Sequence, residues 1–490
     1  MKLSKSYKQI LFISFAMMLF SFSSSIAEID PIILGSNYHE QIEKLWQQRK
    51  PHIIKMIENS RFDPYNLYNV QNETNNLLKY TDYCKKYKLL DELISVYFKA
   101  LDTLTETDQY LFAYYLDSPR LSIHPLDKKY RMWIDSQKPI GQESILVSSQ
   151  FLYLLSDTVG IISDIKKEHR TPLMKEALNQ FIPLLIEHYN RWIFLETGPF
   201  QVRGWGCKIG NKYVKTAINH NEFIEKKLRR ELGDDKSPSY CNAVNDTDMW
   251  IIAGVANLCY IYKKENSLVP ITQIQYKKFI NYLKTGLRLL ESRFSYTELK
   301  DFDGKPVTGA IFDAGAWDDH PDYAYAGYTD KQYPDLSQSD KNKYKGKGVG
   351  WDLSHARRFV HVFGTLMKTK DILGLDFPTK SLMEMMANQL VYATFNRDFK
   401  KPLFTNFMDG TNGWYRVGYS GRKGFGYRPW SITIHVLTGG YAFWHEYNSD
   451  IKKVYDALIN AEINSKNFED PETQSLLIQF FPSLCFMMGC

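Results

Sequence analysis

The spacing of apolar residues along the chain predicts a succession of helices of two kinds. The first kind is apolar nearly all round: ESILVSSQFLYLLSDTVGIISDI from Glu143, DMWIIAGVANLCYIY from Asp248, the segment opened by Asp352, and PWSITIHVLTGGYAFW from Pro429. A helix without a polar face belongs inside a protein. The second kind carries a polar face: TPLMKEALNQFIPLLIEHYNRW from Thr171, TQIQYKKFINYLKTGLRLLESRF from Thr272, PTKSLMEMMANQLVYATF from Pro378 and DIKKVYDALINAEI from Asp450. Thr171-Pro172 and Asp470-Pro471 pair an N-cap with a first-turn proline. Each buried helix is followed by an amphipathic one, and strand-like alternation is scarce.

This alternation is what an inner and an outer helical ring require, since the inner ring has protein on both sides and the outer has water on one. The expected fold is all-α, an α/α toroid of helical hairpins with long irregular loops at one face. Residues 105–490 would form it, with TETDQYLFAYYL from Thr105 and PETQSLLIQFF from Pro471 supplying members of two further pairs. Residues 28–104 read as an amphipathic helical segment packed on that body. A globin-like pile or an open solenoid would give similar helices.

At the N-terminus, Lys2, Lys5 and Lys8 precede an apolar run from Ile10 to Phe22 and a small-x-small site at Ser25-Ile26-Ala27. Residues 1–27 therefore read as a signal peptide, and the protein as exported, periplasmic or extracellular. The apolar run is short for a membrane span, and no later stretch is longer, so no span is expected after its removal. Without those three lysines the net charge falls from +6 to +3, which argues against nucleic acid as the partner. Six cysteines in an exported chain permit disulfides, with Cys207 and Cys241 the first pair to test and Cys259 a buried thiol. None has metal-site spacing. A monomer is expected.

Aromatic residues make up 15% of the chain, with 33 Tyr and 10 Trp, the side chains that join an apolar face to a polar edge. They gather with charged residues just before the buried helices. Asp352 stands at an N-cap position, and His355 projects from the same side of the first turn. Arg357 and Arg358 follow where the helix dipole disfavours cations, so acidic partners or an anionic ligand are expected nearby. The stretch Gly309 to Tyr328 gathers Asp313, Asp318, Asp319, His320 and Asp322. Its carboxylates lack EF-hand spacing, so no cofactor is expected; a structural calcium near Asp313, Asp319 and Asp322 is the alternative. Taken singly, each of these stretches is also an ordinary capped helix, with Asp246 or Asp248 as cap and Trp250 as a core ring.

Together the helices and loops resemble the α/α-toroid carbohydrate-active enzymes, the glycoside hydrolases and polysaccharide lyases with a secreted helical double ring. The resemblance is architectural, spans most of the chain after the signal segment, and matches no catalytic motif of one family. It implies a sugar polymer lying across the face where the inner helices start. The candidate substrate-binding residues there are Trp205, His220, Trp250, Trp317, Tyr325, Trp351, Arg358, Tyr415, Arg416, Tyr427 and Arg428.

Two chemistries compete. Hydrolysis needs two carboxylates about a glycosidic bond. Asp352 with Asp248 or Asp319 is the favoured choice, His355 stands beside it, and Asp246 and Asp318 are further candidates. β-Elimination from a uronate polymer needs a carboxylate neutraliser, a base and an acid. Asn219, His220, Arg416, Tyr419, Arg422, Tyr427 and Arg428 have that chemistry. The pattern favours hydrolysis narrowly over elimination, and a non-catalytic glycan-binding protein is the third reading.

Overall fold

The computed structural model describes residues 38–113, 121–135, 142–195, 208–209, 212–213, 218–232, 240–329, 346–419, 425–463 and 470–490. The expected signal peptide, Trp205, Cys207 and Arg422 lie outside these residues.

The described chain is mostly helical. α1 (Tyr38–Asn59), α2 (Tyr65–Tyr83) and α3 (Tyr87–Leu101) come first, followed by an antiparallel hairpin of Thr105–Ala113 with Leu121–Met132. Next are α4 (Ile145–Asp164), α5 (Pro172–Phe194), α6 (His220–Arg229), α7 (Asp246–Lys264) and α8 (Gln273–Glu291). A second hairpin pairs Phe294–Lys300 with Pro306–Phe312. The remainder holds α9 (Leu353–Ala356), α10 (Arg358–Leu373), α11 (Lys380–Asn388), α12 (Thr433–Thr438), α13 (Asp450–Leu458) and α14 (Pro471–Met488).

α2 packs on α4, α4 on α7, and α7 on α10. α10 touches the 3-10 turn Tyr441–Glu446, that turn packs on α14, and α14 packs back on α2. α1 and α3 also pack on α2, α5 on α4, and α8 on α7. One continuous apolar cluster runs through these helices, from Ile42 on α1 to Met487 on α14. α4 is long and apolar enough to cross a bilayer, contrary to the expectation that no later stretch would be, but 89% of its apolar window is buried by its neighbours. α4 and α7 approach their neighbours closely. At Gly254 on α7 an added Cβ would lie 1.9 Å from the Tyr189 hydroxyl oxygen of α5, so only glycine fits.

Several sequence expectations need correction. The run from Thr105 is a strand rather than a helix. Pro429 does not open one long buried helix: α12 spans six residues, and Gly439 with Gly440, the latter at φ 77°, turns the chain into a 3-10 segment. The Asp352 helix is interrupted at Arg357, so α9 and α10 are separate. α7 is capped by Asn245, not by Asp246 or Asp248; Asp248 answers from the third position to complete a capping box. Cys259 and Cys485 are buried thiols and Cys84 bonds Cys490, joining α2 to the end of α14. Cys241 is also disulfide-bonded.

Candidate functional site

The polar centre of the molecule forms where α9 meets three loops. Asp352 adopts extended backbone and bridges to Phe407, which fixes its side chain beneath the first turn of α9. It is 1% exposed. Its carboxylate accepts from the His355 backbone N–H at 3.2 Å, from the Ser354 hydroxyl, and from the Tyr323 hydroxyl at 3.3 Å. His355 Nδ1 lies 2.9 Å from both carboxylate oxygens. Burial by itself would raise the Asp352 pKa, but His355, Ser354 and Arg416 outweigh it and hold the carboxyl well below the usual range. Asp352 is therefore a fixed anion, and it orients the imidazole with Nδ1–H inward. Nε2 has no partner among the described residues, and the His355 side chain is 20% exposed.

The segments Trp414–Tyr419 and Phe425–Tyr427 close one side. Tyr415 and Tyr427 exchange backbone hydrogen bonds of 2.8 and 2.7 Å, and the Tyr415 hydroxyl lies 3.4 Å from His355 Nδ1. Burial and the nearby Asp352 raise the Tyr415 pKa well above that of an ordinary phenol, so it stays protonated. Arg416 sits in the left-handed region at φ 57°, an unfavourable conformation for a side chain this large. The backbone N–H and Nε of Arg416 both donate to Asp322, at 2.9 and 3.0 Å. Its two Nη groups have no hydrogen-bond partner among the described residues, and the side chain is 29% exposed. His320, pushed down chiefly by burial, feels both Arg416 and His355.

On the opposite side, Arg358 pairs with Asp246 at 2.9 Å and donates to the Tyr68 hydroxyl at 2.9 Å. The acidic partner expected near these arginines is thus present for Arg358. Tyr65 and Tyr419 stand exposed near Asp246 at the rim.

The predicted residues separate into two groups. His355, Asp352, Arg358, Tyr415, Arg416, Tyr427 and Trp317 gather here, Trp317 stacking on Tyr323 at 6.3 Å and meeting His320 at 5.5 Å. The others do not join that polar centre, although Trp351 packs against Trp317 at 5.8 Å. Asp248 is fully buried, with Lys227 Nζ at 2.5 Å, His220 Nε2 at 3.0 Å and the Asn245 N–H at 2.9 Å; His220 Nδ1 reaches the Tyr282 hydroxyl at 2.7 Å. No solvent or substrate reaches that network. Trp250 packs on Tyr153 at 4.7 Å, Trp351 on Phe359 at 5.2 Å, and Tyr325 joins Tyr328 and Trp414 in a small apolar cluster. Arg428 and Asp319 are exposed. Of the possible calcium ligands, Asp313 is buried facing Arg293 at 3.8 Å and Asp322 faces Arg416. Among the described residues, only Cys84, Cys485 and Cys490 bring three potential ligand atoms within 4.8 Å.

Sequence reasoning missed Tyr68 and Tyr323. Tyr68 stands one turn after Tyr65 on α2, a spacing that could have marked it. Tyr323 lies in a short Pro-Asp-Tyr turn that carries no such signal.

No protein-family model matches the chain, and neither a curated protein nor a solved structure is detectably similar to it.

Proposed function

We propose that this is an exported α/α-toroid enzyme that cleaves an acidic polysaccharide by β-elimination, with His355 at the centre of its site. The succession of helix contacts that returns to α2, with α1, α3, α5 and α8 packed against it, supports the toroid. The observation carrying the chemistry is the open Nε2 of an Asp352-oriented histidine beside an arginine whose Nη groups are unused. A planar, half-exposed guanidinium is suited to a carboxylate, and pairing would make the C5 proton of a uronate more acidic. His355 Nε2 takes that proton. The C5–H electron pair becomes the C4=C5 double bond, the C4–O bond breaks toward oxygen, and the Tyr415 hydroxyl supplies the proton the leaving oxygen needs. Tyr65, Tyr419 and Trp317 offer faces for neighbouring sugars.

Paired-carboxylate hydrolysis has less support. Asp248 is sealed in its ion pair, and Asp352 is a fixed anion with its oxygens already occupied. One observation favours it: burial raises the Asp318 carboxyl, as a general acid would need. A panel of uronate and neutral polysaccharides, read by ultraviolet absorbance and by reducing ends, separates the readings. New absorbance from an unsaturated product is expected. Reducing ends without absorbance would mean hydrolysis, and no product at all would leave a glycan-binding protein.

A further inference from the structure

Three sulfur atoms meet where the end of α2 reaches the end of α14. Cys84 caps α2 and bonds Cys490, while Cys485 stands on α14 as a free, buried thiol. The three sulfurs lie within 4.8 Å of one another. Cys490 follows Gly489, past the last turn of α14, and is exposed. Bracing α2 against α14 needs only two of these cysteines. With the third thiol in reach, the bridge is also a reactant, since a thiolate breaks a disulfide by attacking one of its sulfurs.

At rest Cys485 holds its proton. Burial pushes the thiol up to about 11, with Lys86 opposing, and the phenols of Tyr38 and Tyr80, both raised by burial, also face it. An acceptor for that proton is at hand. His39 Nδ1 lies 3.7 Å from Cys485 Sγ, and burial holds this imidazole below its ordinary value, so it is a neutral base, shared with the Tyr80 hydroxyl at 2.5 Å. Exchange is also nearly balanced in chain entropy. The existing bridge spans 406 residues of sequence, and a Cys84–Cys485 bond closes a loop almost as long, so the two constrain the unfolded chain almost equally. A metal ion would need all three sulfurs as thiolates, and two of them are joined in the bridge.

We propose that Cys84, Cys485 and Cys490 form a thiol–disulfide exchange site that moves a free thiol from the core to the surface. Cys485 gives its proton to His39 Nδ1 and attacks Cys84 Sγ. The Cys84–Cys485 bond forms, the Cys84–Cys490 bond breaks, and its electron pair leaves on Cys490 Sγ, which takes a proton from water. No net oxidation or reduction occurs. The exposed Cys490 thiol is then open to modification by a small disulfide or an alkylating agent. This proposal does not depend on the enzyme reading, because its readout is covalent linkage.

Two measurements test it. The full chain, folded and free of reductant at about pH 8, is held with excess maleimide, quenched in acid and mapped by mass spectrometry without reduction. Label on Cys490 together with a Cys84–Cys485 linkage is expected. An unlabelled Cys490 still bonded to Cys84 after about a day, or label on Cys485 with that bond intact, would overturn the proposal. Cys485→Ser should slow Cys490 labelling at least about tenfold while keeping a cooperative melt. Equal labelling of the two proteins would count against the exchange, because the bridge would then open without Cys485. The second measurement uses Cys490→Ser, which changes an exposed residue and leaves Cys485 in place. Oxidised by glutathione disulfide, this variant should form Cys84–Cys485 and release two glutathione thiols. A Cys84 left free, or still carrying glutathione in the folded protein, would show that the two sulfurs cannot meet and would sink the proposal.

Discussion

Replacing Lys227 by methionine isolates a charge that the fold has taken entirely out of water. Asp248 and Lys227 side chains are 0% and 2% exposed, and 2.5 Å separates their nearest atoms. Burial would raise the Asp248 pKa, but Lys227 and His220 outweigh it and hold the carboxylate ionised. Lys227→Met leaves that carboxylate with His220 and one backbone N–H, and should destabilise the protein by about 3–5 kcal/mol, the usual penalty for breaking one side of a buried pair. Adding Asp248→Asn removes the stranded charge, so the double variant should recover at least about 2 kcal/mol relative to Lys227→Met alone. Urea unfolding followed by far-ultraviolet circular dichroism measures both. The comparison is Lys452→Met, at an exposed pair with Asp456, which should change little. A Lys227→Met loss below about 1 kcal/mol, or a double variant less stable than Lys227→Met, would refute the claim that this network is a sealed ion pair.

Stability should also depend on acidity below neutrality. His188, His220 and His361 are buried and all pushed below the ordinary imidazole value, chiefly by burial. Below about pH 6.5 the unfolded chain binds protons at these sites that the folded chain refuses, so stability present above that pH is lost as it falls, by up to about 1.4 kcal/mol per pH unit for each histidine. A urea midpoint that stays flat from pH 7.5 to 5 would contradict this. Gly254→Ala should cost about 1–3 kcal/mol by driving a methyl into the Tyr189 hydroxyl, and Tyr189→Phe in the same chain should restore only part of it, because the ring Cζ would still lie 2.7 Å from the new methyl, read by thermal melting. At the site, His355→Asn and Tyr415→Phe should each lower the elimination rate at least about a hundredfold. Arg416→Lys should instead mainly raise KM for the uronate polymer, since it loses the planar fork; equal losses in kcat from all three would point to a structural role.

The helices were legible where composition left no alternative. α4 and α7 have no polar face and are buried nearly all round; the caps at Thr171 and Asp470 each accept the expected backbone hydrogen bond. The strands were missed because each short run follows a convincing helix. The helix from Thr272 was extended through Phe294, yet Phe294–Lys300 alternates and is followed by an Asp303-Gly304 turn, the ordinary hairpin signature. α6 is not among the helices that the apolar spacing predicts, although Asn219 caps it and accepts from the Glu222 N–H. Asp352, His355, Arg358, Tyr415 and Arg416 could be found from the sequence because they break local rules. What it does not encode locally is which carboxylate is enclosed: Asp248 and Asp352 both stand in the first turns around apolar helices, and only the tertiary arrival of Lys227 and His220 closes one of them off.

The first and last helices lie side by side, with the Tyr38 and Phe481 rings 6.1 Å apart. The circuit of helices therefore does not depend on where along it the backbone is opened. A short linker from residue 490 back to residue 38, with new ends cut in the exposed turn between Asp301 and Lys305, should yield a circular permutant that closes the same circuit.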